Sequence, residues 1–230
     1  MFLKCSNLQF QYPGTNKILF RDLSLKFDRP GFHSLFGSSG VGKSSLARIL
    51  CGILYPDQGV VDSEAVKTSL YTHNQERLPG WSSIGHHLDR ITPPNTQEKK
   101  SSLIKSFGLA PHLGKRFSQL SLGQKNRINL IRYLVQDFQV MIADECLANV
   151  DEKMRVRILM SIKAMFPDRL FVYISHNVIE VASFCNEIWV LRGPDKGEQA
   201  VMVRGQDSSF PKALDHQALQ QTMLEIVNAA

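Results

Sequence analysis

The sequence predicts an α/β fold built around a parallel sheet. Three observations carry that prediction. A short apolar stretch, Gly31 to Phe36, runs straight into the glycine-rich loop Gly37-Ser38-Ser39-Gly40-Val41-Gly42. Two later runs, Val140 to Ala143 and Leu170 to Ile174, are continuously apolar, as strands covered on both faces are. Between them Glu152 to Phe166 reads as a helix, and strand–helix–strand order implies parallel pairing through right-handed crossovers.

The remaining elements follow along the chain. Leu8 to Tyr12 alternates apolar and polar residues and reads as a strand, and Pro13-Gly14-Thr15-Asn16 is a turn. Leu19 to Phe27 alternates again, which predicts a hairpin with the first strand. After the glycine-rich loop, Leu46, Ile49, Leu50, Ile53 and Leu54 fall on one helical face, closed by Gly52 and by Pro56-Asp57-Gln58-Gly59. Ser69 to Asn74 is a further strand. From about residue 80 to 136 the β signals vanish, and Pro93-Pro94, a polar patch and helix-like pieces predict a helical insertion. Ile188 to Leu191 and Ala200 to Val203 flank Gly193-Pro194-Asp195-Lys196-Gly197, which predicts a hairpin, and Phe210 to Val227 reads as a helical tail.

Composition removes several classes. Of the 230 residues, 43% are hydrophobic and 21% charged, ordinary globular usage that excludes wholesale disorder. No apolar run approaches the roughly 18–20 residues that a membrane-spanning helix needs. The first residues, Met1 to Asn7, carry Lys4 and no long apolar stretch, so no signal peptide is expected. Cys5, Cys51, Cys146 and Cys185 are widely spaced without a metal-binding pattern, so four reduced, mostly buried thiols are expected. The net charge of +6 suits an anionic surface, whether nucleic acid or membrane, and equally suits a solvated face with no partner.

Gly37 to Ser44 matches G-x-x-x-x-G-K-[ST]. Glycines let the backbone wrap closely around phosphate oxygens, and the N–H groups of the loop and the helix N-terminus then point at the anion. Lys43 supplies a cation to the terminal phosphates. The Ser44 hydroxyl can ligate Mg²⁺, and Ser45 follows it at the helix start. Val140-Met141-Ile142-Ala143-Asp144-Glu145 is a strand ending in two carboxylates. In the same sheet as a phosphate loop, Asp144 can hold Mg²⁺ through water and Glu145 can orient or deprotonate an attacking water. Alone, such a strand end would be an ordinary solvated terminus.

Leu120-Ser121-Leu122-Gly123-Gln124 resembles the L-S-G-G-Q signature of ATP-binding cassette (ABC) ATPases, although alone it would be a Ser-capped helix start. Further family marks stand in order: Gln75 resembles the Q-loop glutamine, Asp151 the D-loop aspartate, His176 the H-loop histidine, and Tyr12 the aromatic that stacks on adenine. The resemblance runs from Leu3 to about Val203. It implies a P-loop NTPase cassette with a RecA-like core, an antiparallel β lobe and a helical subdomain. It further implies head-to-tail dimers, in which ATP lies between the phosphate loop of one copy and Ser121, Gly123, Gln124 and Asp151 of the other. On this resemblance residues 1–76 and 137–204 form the catalytic core and β lobe, 77–136 the helical subdomain and 205–230 a helical tail. Four departures bear on turnover rate rather than on the nucleotide site. Leu122 replaces the first signature glycine, Cys146 replaces the proline after the catalytic Glu, Asn149-Val150 replaces Ala-Leu, and Val60 to Thr68 is short.

The segment Gln75-Glu76-Arg77-Leu78-Pro79-Gly80-Trp81-Ser82-Ser83-Ile84 resembles part of the importer ATPases of the nitrate, sulfonate and taurine type, where it would receive a helix of a membrane permease with Trp81 exposed. The resemblance thus implies an ATPase at the cytoplasmic face of the inner membrane, working with a permease, a second ATPase subunit (identical or not) and a solute-binding protein, with ATP and Mg²⁺ and without nucleic acid. Other readings are a DNA-maintenance ATPase, a ribosome-acting protein and a degenerate regulatory subunit. The short span between Lys43 and Leu120, the absence of zinc spacing and the single cassette disfavour the first two. Leu122 and Cys146 motivate the third. An ordinary P-loop kinase would lack Leu120 to Gln124 and the Glu directly after Asp144.

Overall fold

Alternation of apolar and polar residues gives β1 (Leu3–Gln11) and β2 (Ile18–Phe27) one buried and one exposed face. They pair antiparallel, with Leu3 opposite Phe27 and Phe10 opposite Phe20. The structure, a computed structural model, describes residues 2–63, 66–77, 80–209 and 215–230. Among these, β4 (Gln58–Asp62) pairs with the free edge of β1 and completes a three-stranded antiparallel sheet in the order β2-β1-β4.

The second sheet is built on β3 (Gly31–Phe36), β5 (Ser69–His73), β6 (Val140–Asp144), β7 (Leu170–Ile174), β8 (Glu187–Leu191) and β9 (Ala200–Arg204), in the order β5-β6-β7-β3-β8-β9. The first five run parallel, and β9 closes the edge as an antiparallel hairpin with β8. Every residue of β6 and β7 is buried, which explains their unbroken apolar runs. Because β3, β5, β6 and β7 are parallel, the loops that follow them emerge along one edge of the sheet. Open parallel sheets place their ligands at that edge.

Helix α1 (Lys43–Leu50) buries Leu46, Ile49 and Leu50 in an apolar cluster shared with Leu8, Phe10 and Phe20 of the small sheet and Leu35, Ile142 and Val172 of the large one. The opposite face of the large sheet is covered by α4 (Leu122–Leu134) and α5 (Glu152–Met165), through Ile128, Ile131, Ile158 and Ile162. The stretch expected to be helical does hold α2 (Ile84–Ile91), α3 (Gln97–Ser106) and α4. After β7 come α6 (Val178–Phe184) and α7 (His216–Ala229). No helix among the described residues is long and apolar enough to cross a membrane.

The periodicity that carried the first helix to Leu54 overruns it. The helix stops at Leu50, Gly52 takes a left-handed conformation (φ 68°), and Ile53 is 54% exposed. The tail helix begins at His216, and the earlier expected start, Phe210 to Leu214, lies outside the described residues. Leu78 and Pro79 of the importer-like segment lie outside them too. Cys5, Cys146 and Cys185 are buried and Cys51 partly so, all as free thiols.

One side chain stitches the two sheets together. Buried Gln199, beside the β8–β9 hairpin, accepts from the Arg21 N–H at 2.5 Å and donates to the Leu19 carbonyl at 3.2 Å. Gln199→Leu keeps the volume but leaves both backbone groups of β2 without that partner. The expected outcome is a loss of about 2–4 kcal/mol in urea unfolding, with an unchanged slope. A midpoint equal to that of the parent would show that Gln199 holds nothing.

Candidate active site

The phosphate loop is shaped by what lies behind it. Gly37 has φ 144°, and a Cβ there would stand 2.6 Å from the Leu191 carbonyl oxygen, so glycine lets the loop lie against the end of β8. Lys43, in the first turn of α1, is 6% exposed, and its ammonium donates to the Gly37 and Ser38 carbonyls at 2.8 and 2.9 Å. Burial pushes the lysine's pKa down, while Glu145 and Asp144 pull it up. Ser38, Ser39 and Gly40 face solvent, Val41 is buried, and Ser44 is exposed beside the cavity described below. The Tyr12 hydroxyl shares a 2.9 Å hydrogen bond with Ser45 Oγ, and its ring meets Phe10 edge-on at 5.1 Å. The aromatic expected beside the base is thus tied to the helix that carries Lys43.

The end of β6 presents its two carboxylates differently. Asp144 is buried and accepts from the Tyr71 hydroxyl at 2.8 Å. Burial and that carboxylate push the Tyr71 pKa up, so the phenol stays a donor, and the Arg48 guanidinium lies 5.8 Å from its ring. Glu145 leaves the strand with φ 52°, its N–H bonded to the Ile174 carbonyl at 3.0 Å. A left-handed non-glycine residue costs on the order of 1–3 kcal/mol and needs surroundings that impose it. Here the turn aims the carboxylate at His176, whose Nε2 is 2.5 Å from Glu145 Oε1, while Asn74 Nδ2 reaches Oε2 at 3.4 Å. Gln75 is exposed, and its N–H donates to His73 Nδ1 at 3.3 Å. A cavity of about 150 Å³ opens between Ser44, Tyr71, Gln75, Asp144 and Glu145.

The signature residues sit elsewhere. Ser121 caps α4, accepting from the Gln124 N–H at 3.3 Å, while Gln124 Oε1 accepts from the Ser121 N–H at 2.9 Å. Leu122 is 54% exposed. A Cβ on Gly123 would run into the Asn149 carbonyl oxygen, and Asn126 donates to the Ala148 carbonyl at 2.5 Å. Asp151 caps α5 by accepting from the Met154 N–H at 2.9 Å. Ser121, Gly123, Gln124 and Asp151 therefore gather around the 147–151 loop, not around the phosphate loop of their own chain. A groove of about 620 Å³ runs between Leu122, Phe117 and Lys125 on one side and Asn74 to Arg77 on the other.

Several contributors escaped the sequence reading. Tyr71, Arg48 and Asn74 approach the carboxylates without belonging to any recognised motif. Glu76 accepts from the Tyr133 hydroxyl at 2.7 Å and pairs with Arg132 at 3.4 Å, and its carbonyl accepts from Asn129 at 3.0 Å. These contacts pin the segment after Gln75 to α4, across more than fifty residues of chain.

The residues present fit a nucleotide with Mg²⁺. A buried ammonium beside a glycine-rich loop at a helix N-terminus calls for an anion, and one hydroxyl with one buried carboxylate is the sparse oxygen set that Mg²⁺ accepts when phosphates supply the rest.

A family profile described as ABC transporter matches residues 20–148. An uncharacterized ABC transporter ATP-binding protein of Haemophilus influenzae is 32% identical over 90% of this chain and 91% of its own length. A spermidine/putrescine import ATP-binding protein of Fusobacterium nucleatum is 27% identical over 75% of the chain, which spans 50% of that relative's length. An aliphatic sulfonates import ATP-binding protein of Agrobacterium fabrum is 27% identical over 87% of the chain and 73% of its own length. The same fold occurs in a bacterial Atm1-family ABC exporter solved with ATP bound (TM-score 0.80, 18% identity), which aligns over 99% of this chain and 41% of that one. With its phosphate loop, paired carboxylates and signature in one chain, the protein belongs to the ABC transporter ATP-binding family, whose cassettes are ATPases that power transport.

Proposed function

We propose that this chain binds and hydrolyses ATP with the residues described above, and that it powers import of a small solute of the nitrate, sulfonate or taurine class. The observation that supports the chemistry is the left-handed turn at Glu145, which aims its carboxylate at His176 beside the buried Lys43. Lys43 and the N–H groups of Gly37 to Ser45 bind the phosphates, and Tyr12 faces the base. Ser44 and Asp144, with Gln75 alongside, hold Mg²⁺, which neutralises charge on the phosphates when bound. Glu145 takes a proton from the attacking water, its Oε1 held by His176 and its Oε2, which Asn74 reaches at 3.4 Å, turned toward the cavity where the water enters. Ser121, Gly123, Gln124 and Asp151 face away from their own phosphate loop, which supports a dimer in which they close over the nucleotide of a second copy. The chain then works as a peripheral subunit at the cytoplasmic face of the inner membrane, with a permease and a solute-binding protein. The two importer relatives support that assignment, and the sulfonate relative supports the solute class.

Trp81 supports the permease contact. It is 76% exposed, and two residues on, Ser83 bridges to Arg116 and caps α2, so an exposed indole precedes the first helix of the helical region. Aromatic anchors of that kind dominate interface energies.

Lys43→Ala is expected to weaken Mg-ATP binding about 100-fold or more in a fluorescence titration, because the buried cation is lost and the fold is kept. Normal affinity would refute the phosphate-loop assignment. Glu145→Gln is expected to bind ATP and to lose hydrolysis by roughly 10²–10⁴-fold, accumulating a nucleotide-bound dimer visible by gel filtration. Unchanged hydrolysis by a persistent monomer would remove Glu145 from the mechanism. Leu122→Gly is expected to raise basal hydrolysis a few-fold by letting the signature loop approach phosphate, whereas Trp81→Ala lowers only the rate stimulated by the membrane partner. Equal loss of basal and stimulated rates in Trp81→Ala would place the indole in the fold rather than at the interface.

A further inference from the structure

Beyond the cavity that holds Asp144 and Glu145, an ion pair between a partly exposed arginine and a buried glutamate joins α5 to α6. Arg155, on α5, lies with Nε 3.1 Å from Glu180 Oε1, on α6. Its Nη1 donates to the Val150 carbonyl at 2.7 Å. The second oxygen of Glu180 accepts from the Ser175 hydroxyl at 2.7 Å, and Ser175 Oγ accepts from the Asn177 N–H at 3.2 Å. Asn177 Oδ1 in turn accepts from the Glu180 N–H at 3.2 Å. Ser175 and Asn177 flank His176, and Val150 belongs to the turn that follows Glu145, where the Ala148 N–H bonds the Glu145 carbonyl at 3.0 Å. A cavity of about 150 Å³ is lined by Glu145 and His176 on one side and by Arg155 and Glu180 on the other.

We propose that Arg155 and Glu180 are positioning residues: they brace the loop 147–151 against the turn 175–177, and so hold His176 on Glu145. The inference rests on the reading that Glu145 and His176 handle the attacking water. Neither Arg155 nor Glu180 touches the phosphate loop. The guanidinium is engaged at two positions, Nη1 by a hydrogen bond to the Val150 carbonyl and Nε by an ion-pair contact with Glu180, at a separation set by its planar geometry. A lysine ammonium is a single rotatable centre on a flexible stem and does not reproduce the fixed spacing of Nε and Nη1. Both oxygens of Glu180 are also in use, so the carboxylate transmits the position of Arg155 to Ser175 and hence to the histidine turn. Any shift of the 147–151 loop, including one imposed by a second copy of the chain, reaches His176 through this brace.

Arg155→Lys and Glu180→Gln keep volume and polarity, and separate the brace from general packing. Each is expected to lower kcat for ATP about 10- to 100-fold, with KM within twofold and the melting temperature near that of the parent. The double variant is expected to be no slower than the slower single, because both changes break one link. The imidazole ¹⁵N signals of His176, assigned by their absence in His176→Ala, are expected to move in Arg155→Lys toward their position in Glu145→Gln. Parental kcat and unmoved His176 signals in the folded variants would overturn the brace. A parallel fall of kcat, ATP affinity and melting temperature would also overturn it, by showing a merely structural pair. If the parent protein itself shows no hydrolysis, the catalytic reading of Glu145 fails, and the His176 signals still decide whether the brace exists.

Discussion

A lysine ammonium folded out of water imposes conditions on everything around it. Lys43 must find acceptors, and it takes the carbonyls of Gly37 and Ser38, which forces the loop to curl back over its own helix. That curl is open only to a residue without Cβ at Gly37, because the Leu191 carbonyl lies immediately behind it. The position of Leu191 depends on the parallel pairing of β3 with β8, in which Phe36 lies opposite Val190. The charge also needs negative partners nearby, and β6, two strands from β3, delivers Asp144 and Glu145 to the same edge. One buried charge thus ties loop conformation, strand order and carboxylate placement together.

The two carboxylates show how adjacent residues of like charge acquire different surroundings. Asp144 completes β6 in extended conformation and is fixed by a phenol whose pKa is raised, so its oxygen accepts a neutral hydrogen bond. Glu145 turns out of the strand at φ 52° and meets an imidazole. Glycine or asparagine would take that backbone conformation with less strain, and the glutamate is held in it by its N–H bond to the Ile174 carbonyl and by the contact of its carboxylate with His176. Tyr71 and His176 come from opposite neighbours of β6, from β5 and from the loop after β7. The site therefore exists only when all three strands are in register.

The parts legible in the sequence are those governed by local rules. Val140 to Ala143 and Leu170 to Ile174 read as buried parallel strands because they are short, rich in β-branched and aromatic residues and separated by a helical stretch, and both lie in fully buried strands of the large sheet. The phosphate loop, Asp144, Glu145 and His176 were legible as motifs in order, and the structure does bring Lys43, both carboxylates and His176 to one sheet edge. The overrun at Ile53 and Leu54 shows the limit of periodicity: the spacing continued, but the left-handed Gly52 had already turned the chain. The supporting contacts were illegible for a different reason. Tyr71 to Asp144, Glu76 to Tyr133 and Arg155 to Glu180 join residues far apart in sequence, and no spacing rule links one member of each pair to the other.

A second set of long-range contacts converges on α4. Its N-terminal turn is packed against the 147–151 loop through Gly123 on Asn149 and Asn126 on Ala148, and its later turns hold Glu76 through Asn129, Arg132 and Tyr133. One rigid helix is therefore bonded to the segment directly after Gln75 and to the segment directly after Glu145, the two flanks of the cavity that holds the carboxylates. Leu122, exposed at the start of the same helix, faces the groove lined by Gln75 and Arg77. The glutamine side and the glutamate side of the cavity are thus joined through one helix by a contiguous set of packed and hydrogen-bonded groups, although no single motif contains both.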